Sequence, residues 1–182
     1  MDTLQARHEQ IKQQLRQAAP RIVQTMALSG LALVTLRIQR DGLAGKTYSS
    51  KDFPLFWFTN KALNAAGNAW LAGKKKRTGA ERKSDPANWG GFRRAQGLPS
   101  NTVNLTYTGG MFRALHALPG SGSGTLYTAA IAASDSESTA KMQYNMARYG
   151  DFLQPLPAEA AQVQQVGIIE LDKIIAAGLK TA

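Results

Sequence analysis

The chain has 182 residues, enough for one domain with a substantial core, and its 43% apolar and 19% charged residues favour a globular protein over a disordered one. It contains no cysteine, which excludes disulfides, thiolate zinc sites and cysteine nucleophiles. The formal net charge of +10 favours an anionic partner, either phosphates or an acidic protein surface.

The N-terminal region predicts neither a membrane span nor a secretion signal. The apolar run over residues 27–36 is interrupted by Ser29, Gly30 and Thr35 and is too short to cross a bilayer. The first residues lack the basic and then apolar pattern of a signal peptide. We therefore expect a soluble product that is made in the cytoplasm and does not contact membranes.

The first forty residues predict one long helix. Apolar residues recur in it at helical spacing, namely Leu4, Ile11, Leu15, Ile22 and Met26. Pro20 removes a backbone donor, which predicts a kink or a break into two pieces near residues 18–21. A second helix is expected to begin with Thr59 or Asn60 as its cap and to stop at Gly73.

A basic segment follows that second helix. Residues 74–87 hold no large apolar side chain, so this stretch is predicted to be a flexible loop. Its basic residues are Lys74, Lys75, Lys76, Arg77, Arg82 and Lys83. We expect this loop to touch either DNA, without regard to sequence, or an acidic neighbouring protein ring, while a solvated loop that aids solubility is the simpler alternative.

The second half of the chain alternates between short strands and helices. Strands are predicted over residues 102–107 and 125–133, a short helical turn over 111–118, and a flexible glycine and serine loop over 120–124. A helix should close on Gly150, and a last helix should begin at Pro157, with Glu159 in its first turn and Lys180 in its last. Its predicted buried stripe is Ile168, Leu171, Ile175 and Leu179. The result is an α+β fold, a small antiparallel sheet flanked by a long N-terminal helix and a C-terminal helix, in a single domain over residues 1–182.

The sequence lacks the parts of a catalytic site. The segment DGLAGKT at residues 41–47 ends like a phosphate-binding loop, but Arg40 stands where that motif requires its first glycine. His8 lies on a polar helix and His116 in a short turn, and neither has a visible catalytic partner. We therefore predict no enzyme activity, no catalytic residue, no cofactor and no metal site.

Aromatic residues cluster with the basic residues between positions 53 and 92. Aromatic side chains interleaved with Lys and Arg can bind single-stranded nucleic acid by stacking. The favoured interpretation is that residues 53–58 and Trp70 are anchors of the core or of an oligomer interface.

Two stretches in the second half resemble the small virion morphogenesis proteins of tailed bacteriophages. The segment WGGFRRAQG at residues 89–97, followed by VNLTYTGGMFRAL at 103–115, is similar to that group's "FRxxxG" stretch and its strand ending in "LTxTGxM". The segment YNMARYGDFLQP at residues 144–155 resembles the second signature, in which a tyrosine and a glycine precede "FL" and a proline before the closing helix.

This resemblance implies a structural protein of the neck or tail-completion type, assembled in the host cytoplasm and located in the virion. Such a protein would form a homo-oligomeric ring between a portal-side head connector and a tail-terminator or tail-tube protein. The candidate interface residues are Tyr107, Met111, Phe112, Phe152 and Leu153. The alternatives are a tail-terminator or head-completion protein of the same class, and a basic, non-enzymatic nucleic-acid-binding protein.

Overall fold

The computed structural model describes residues 3–59, 61, 63–76, 78, 87–106 and 109–180. Its helices are Thr3–Asp41 (α1), Phe56–Thr59 (α2), Ala65–Lys75 (α3), Trp89–Ala95 (α4), Gly110–Ala114 (α5), Ser136–Tyr149 (α6) and Pro157–Lys180 (α7). Its short strands are Leu115–Ala117 (β1), Ser121–Ser123 (β2), Leu126–Thr128 (β3) and Ile131–Ala133 (β4). Strand β1 pairs with β4 and β2 with β3, both antiparallel. The predicted α+β fold, with its small antiparallel strand set and its long terminal helices, is confirmed.

The tertiary contacts divide the chain into two compact units, and the single domain over residues 1–182 stays a prediction. Unit 1 consists of Met1–Arg37 together with Thr108–Ala182, and unit 2 consists of Ile38–Tyr107. Helix α1 passes from unit 1 into unit 2 at its C-terminal end.

Helix α1 runs without interruption through Pro20, so the predicted break into two pieces is wrong. A proline inside a helix costs about 3 kcal/mol, which tertiary packing can offset. Here Ile22, Leu31 and Val34 are buried along the helix. Gly120 also lies so close to Pro20 that a Cβ atom at position 120 would stand 2.2 Å from the Pro20 carbonyl oxygen.

Helices α1 and α7 lie antiparallel within unit 1. Positions that ascend along α1, from Ile11 to Met26, meet positions that descend along α7, from Gly178 to Gly167. The contact is close, because a Cβ at Gly167 would be 2.7 Å from the Met26 sulfur. Arg37 and Glu159 close one end of this helix pair with an ion pair of 2.8 Å.

Helix α7 begins at Pro157 as predicted, but the predicted buried stripe is wrong. Glycines and Glu159 occupy the buried side, while the four predicted residues are exposed: Ile168, Leu171, Ile175 and Leu179. These four residues lie beside the contact with α1. Gly167 faces α1, and Ile168 is rotated from it by about 100° around the helix axis. The periodicity of the sequence predicted that the large apolar residues are buried, whereas two closely approaching helices require small residues at their contact.

The β-strands depart from the sequence prediction in their bounds. The expected loop over residues 120–124 contains β2, and the expected strand over 125–133 divides into β3 and β4. Ser121 pairs with Thr128 and Gly122 with Tyr127, so β2 and β3 form a hairpin. The predicted helical turn over residues 111–118 is the end of α5 followed by β1. Strand pairing uses backbone N–H and C=O groups, which glycine and serine provide as well as other residues do. The composition of this segment therefore predicted a loop where β2 forms.

Unit 2 is built around an aromatic core. Phe58, Leu71, Ala87 and Phe92 are buried, and five partly buried side chains pack against them, namely Phe53, Leu55, Leu63, Trp70 and Trp89. Helix α3 starts after Asn64, whose Oδ1 accepts a hydrogen bond from the Gly67 N–H at 2.8 Å. The predicted start near Thr59 and stop at Gly73 are therefore wrong, and Asn60 lies outside the described residues.

The predicted strand over residues 102–107 is also wrong within its described part. Val103 forms an isolated bridge with Leu43, and Val103 and Asn104 are both buried, whereas burial alternates between neighbouring residues in a half-buried strand. Leu105 has a φ of 53°, a left-handed conformation that ends extended pairing.

Candidate interaction surfaces

Arg93 is the most buried charged side chain in the described part of the chain, with 1% of its surface exposed. Helix α4 positions it, and Asn88 caps that helix by accepting the Gly91 N–H at 2.7 Å. The Arg93 guanidinium donates to the carbonyl oxygens of Pro99 and Thr106, at 2.7 and 2.6 Å, and to Asn104 Oδ1 at 2.8 Å. These bonds hold the segment after α4 against the helix.

Tyr48 completes this network from another part of unit 2. Its ring lies 4.6 Å from the Arg93 guanidinium carbon, in cation–π contact. Its hydroxyl donates to Asn104 Oδ1 at 3.1 Å and accepts from the Asn104 N–H at 3.2 Å. Arg93 lies in the segment over residues 89–97, and Asn104 and Thr106 lie in the segment over residues 103–115. One buried side chain therefore joins two of the three segments that carry the sequence resemblance.

The candidate interface residues are mostly buried within unit 1. Met111, Phe112 and Phe152 are buried and Leu153 is half-buried, while Tyr107 lies outside the described residues. Met111 contacts α6, since its sulfur accepts from Asn145 Nδ2 at 3.5 Å. These side chains therefore support the local surface from beneath, and their part in subunit contacts stays a prediction.

An exposed apolar surface lies along α7 in unit 1. It consists of Ile168, Leu171, Ile175 and Leu179, which we call the α7 stripe. Its first two residues line a cavity of about 430 Å³ together with side chains of α1 and the β2–β3 hairpin, including Ile22, Met26 and Tyr127. Leu126 on β3 is 72% exposed. An apolar groove of this kind can accept side chains of a protein partner.

The start of the predicted basic loop is helical rather than flexible. Lys74 lies in α3 with 5% of its surface exposed, and its ammonium nitrogen is 5.5 Å from the centre of the Trp70 ring. Lys75 is the last residue of α3, and the Lys76 N–H caps the helix on the Gly73 and Lys74 carbonyls. A lysine stem can pack on an aromatic ring, which the absence of large apolar residues did not reveal. Arg77, Arg82 and Lys83 lie outside the described residues.

Positive charge is concentrated in unit 2. That unit holds twelve of the 22 Lys and Arg residues and four of the 12 Asp and Glu residues, a net charge of +8. Unit 1 carries the remaining +2. Unit 2 therefore attracts anions and repels its own copies, whereas unit 1 has little charge to oppose self-contact.

The aromatic cluster divides into buried and exposed members. Phe58 packs edge-on to Trp70 at 5.3 Å and stacks with Trp89 at 6.1 Å, as expected of core anchors. Phe56 and Trp57, the two residues before Phe58, are 64% and 54% exposed. The core interpretation thus fits Phe58 but leaves two neighbouring aromatic side chains on the surface.

The titratable groups do not assemble a recognisable catalytic or metal site in the described part of the chain. His8 is exposed on α1, and His116 on β1 has its Nδ1 at 3.3 Å from the Ala114 carbonyl oxygen. No group of three His, Asp or Glu side chains among the described residues could hold a metal ion. Asp135 caps α6, and the hydrogen bond from the Ser138 N–H lowers the pKa of its carboxyl.

Helix α1 is long and apolar enough, by length and composition, to span a membrane over Leu4–Asp41. In its most apolar window, 28% of the residues are buried within the chain. Core helices of soluble proteins pass the same test, so this is weak evidence for a span. In unit 1 the helix instead packs along α7 and pairs Arg37 with Glu159.

A scan against protein-family models and searches of curated proteins and of solved structures found no match to this chain.

Proposed function

We propose that the chain is a non-catalytic structural subunit of a tailed-phage virion, of the neck or tail-completion type. In this role it forms a ring by contact between copies and joins the head connector to the tail. Tail termination and head completion are neighbouring stations that the same kind of subunit could fill. The three segments that resemble phage proteins support this class. Arg93, in the segment over residues 89–97, donates hydrogen bonds to the segment over residues 103–115, which supports treating these two as one structural element.

The observation that carries the proposal is the α7 stripe. Burying a branched aliphatic side chain stabilises a contact by about 1.5–3 kcal/mol, so four such residues in a row favour an apolar protein partner. A second copy of the chain suits the surface, because unit 1 is nearly neutral and offers both the stripe and the adjoining groove. If the Ile175 and Leu179 end of the stripe in one copy contacts the groove of the next, the contact is heterologous, and it forms a ring when the rotation between copies closes.

The oligomeric state of the purified chain tests this proposal. We expect light scattering and native mass spectrometry to give a closed oligomer, and electron microscopy to show rings. Ile168→Asp with Ile175→Asp should convert it to monomers that keep their helical circular dichroism. Ile169→Asp is the matched control, since Ile169 is 45% exposed against 49% for Ile168 but lies about 100° further around the helix, outside the stripe.

The phage assignment requires a second measurement. The same Ile168→Asp and Ile175→Asp substitutions, introduced into a phage that encodes this chain, should leave filled heads and separate tails, while Ile169→Asp should give infectious particles. A chain that stays monomeric at high concentration, or a double variant that supports normal virions, would overturn the proposal.

A further inference from the structure

We propose that unit 2 binds single-stranded nucleic acid on the outer side of α2. The site, here called the α2 surface, consists of Phe56 and Trp57 with Lys51 and Lys61. Unpaired bases stack on the two aromatic rings, and the phosphates between them face the lysines. This inference goes beyond the structural role proposed above, and it places a second type of partner on a different unit.

The α2 surface rests on a rigid base. Phe58 anchors the underside of α2 in the aromatic core, and the Phe53 N–H donates to the Ala87 carbonyl at 2.9 Å. The centre of the Trp57 ring lies 6.0 Å from that of the Phe53 ring and 6.3 Å from that of the Phe56 ring, so contacts with both rings restrict its orientation. A preoriented ring loses little conformational entropy when a base stacks on it.

Charge selects a polyanion as the occupant. Lys51 and Lys61 are exposed, and within the described residues neither forms an ion pair. The carboxylate of Asp52, the residue after Lys51, accepts the Ala87 N–H at 2.5 Å and is committed to the fold. With a net charge of +8, unit 2 attracts a phosphate backbone from a distance.

The exposed rings select single strands over duplexes. In a duplex the bases are stacked on each other, so a protein that neutralises its phosphates gains nothing from Phe56 or Trp57. In a single strand every base has a face that can stack on an aromatic ring, regardless of sequence. An acidic protein surface is the competing occupant, since it would pair with the same lysines.

The binding test compares labelled oligothymidylate of about 16 nucleotides with a duplex of equal length, by fluorescence anisotropy. Trp57→Ala should weaken single-strand binding about tenfold or more, and Trp57→Phe by no more than about threefold, because a smaller aromatic ring still stacks. The duplex affinity should be the same for both variants. Leu36→Ala in unit 1 is the control, since Leu36 is 58% exposed and its substitution also removes an exposed apolar side chain.

The salt dependence tests the lysines. Lys51→Ala and Lys61→Ala should each reduce the slope of log affinity against log salt by about 1, while Lys141→Ala in unit 1 should leave it unchanged. If the fluorescence of Trp70 and Trp89 shows that unit 2 is unfolded in Trp57→Ala, Phe56→Ala is assayed in its place.

Two results would overturn the proposal. One is equal affinity for single strands and duplexes with no effect of the aromatic substitutions, which would mean that charge alone attracts DNA. The other is that polyglutamate displaces the labelled oligothymidylate as well as unlabelled oligothymidylate does at the same concentration of charge. That result would indicate an acidic protein as the partner. The oligomeric state is measured on the same samples, so failure here is distinguishable from failure of the ring proposal.

Discussion

The two units of the chain are stabilised in different ways. Unit 1 is made of long helices that approach each other at glycines, and it leaves aliphatic side chains exposed while carrying almost no net charge. Unit 2 packs short helices around aromatic rings, encloses an arginine and carries a net charge of +8. This difference agrees with the two proposals above, in which unit 1 contacts other copies of the chain and unit 2 binds an anionic partner.

The sequence supplies a separate spectroscopic probe for each unit. Trp57, Trp70 and Trp89 all lie in unit 2, so tryptophan fluorescence reports unfolding there alone. Far-ultraviolet circular dichroism is dominated by the long helices α1, α6 and α7, which lie mostly in unit 1. Each substitution below should move one probe more than the other.

The largest effect is expected from Arg93→Ala in unit 2. The substitution leaves the carbonyls of Pro99 and Thr106 without their buried donor and removes one of the donors to Asn104 Oδ1, which should cost about 3–5 kcal/mol. In urea titrations the fluorescence transition should shift to lower urea by more than the circular dichroism transition.

The neighbouring Arg94 provides the control for this prediction. Arg94 is exposed, so Arg94→Ala should change the free energy of unfolding by no more than about 0.5 kcal/mol. Equal shifts of both probes in Arg93→Ala would mean that the two units unfold as one, and the distinction between them would lose its thermodynamic meaning.

A smaller effect, in the other unit, is expected from Gly120→Ala. The added methyl group would lie 2.2 Å from the Pro20 carbonyl oxygen and 2.5 Å from a Val23 methyl, so the hairpin and α1 must separate. We expect a loss of about 2 kcal/mol, seen mainly by circular dichroism in thermal or urea unfolding.

Gly73→Ala is the matched control, because a Cβ at Gly73 meets no atom within 4 Å. Alanine favours a helix by about 1 kcal/mol over glycine, so this variant should be equal to or more stable than the parent protein. Unchanged stability of Gly120→Ala would contradict the packing of the hairpin on Pro20.

The sequence predicted the parts of the fold that local signals determine. Gly150 ends α6, and Pro157 begins α7, because each residue satisfies a specific requirement of a helix end. Contacts distant in sequence were not predictable in the same way. Lys74 is buried because it packs on Trp70. Leu105 has its left-handed conformation within a segment that Arg93 holds by hydrogen bonds.

The candidate surfaces were predictable only in composition. The sequence identified the basic and aromatic region but could not tell that Phe58 is core while Phe56 and Trp57 are exposed, because all three occur in one short run. It likewise identified the large residues of α7 but assigned them to the inside. Which side of a helix is buried depends on what it packs against, and in α7 that choice is made by the glycines that face α1.

The smallest effect is expected from Glu159→Gln, which tests whether an ion pair or glycine packing holds α1 to α7. Burial is the largest influence on the Glu159 carboxyl and would raise its pKa, but the Leu156 N–H and the Arg37 guanidinium together bring the pKa below the ordinary value of 4.5. The ionised carboxylate therefore stabilises the folded state above that value, and this contribution is lost as the pH falls through the lower pKa of the folded state. At neutral pH, Glu159→Gln should lower the free energy of unfolding by about 1 kcal/mol, measured by circular dichroism in urea. The glutamine keeps an acceptor for the Leu156 N–H but lacks the negative charge that faces Arg37. The difference between the two proteins should shrink as the pH falls well below 4.5, where the parent carboxyl is also neutral. A difference that stays constant with pH would show that the shape of the side chain, and not its charge, stabilises this end of the helix pair.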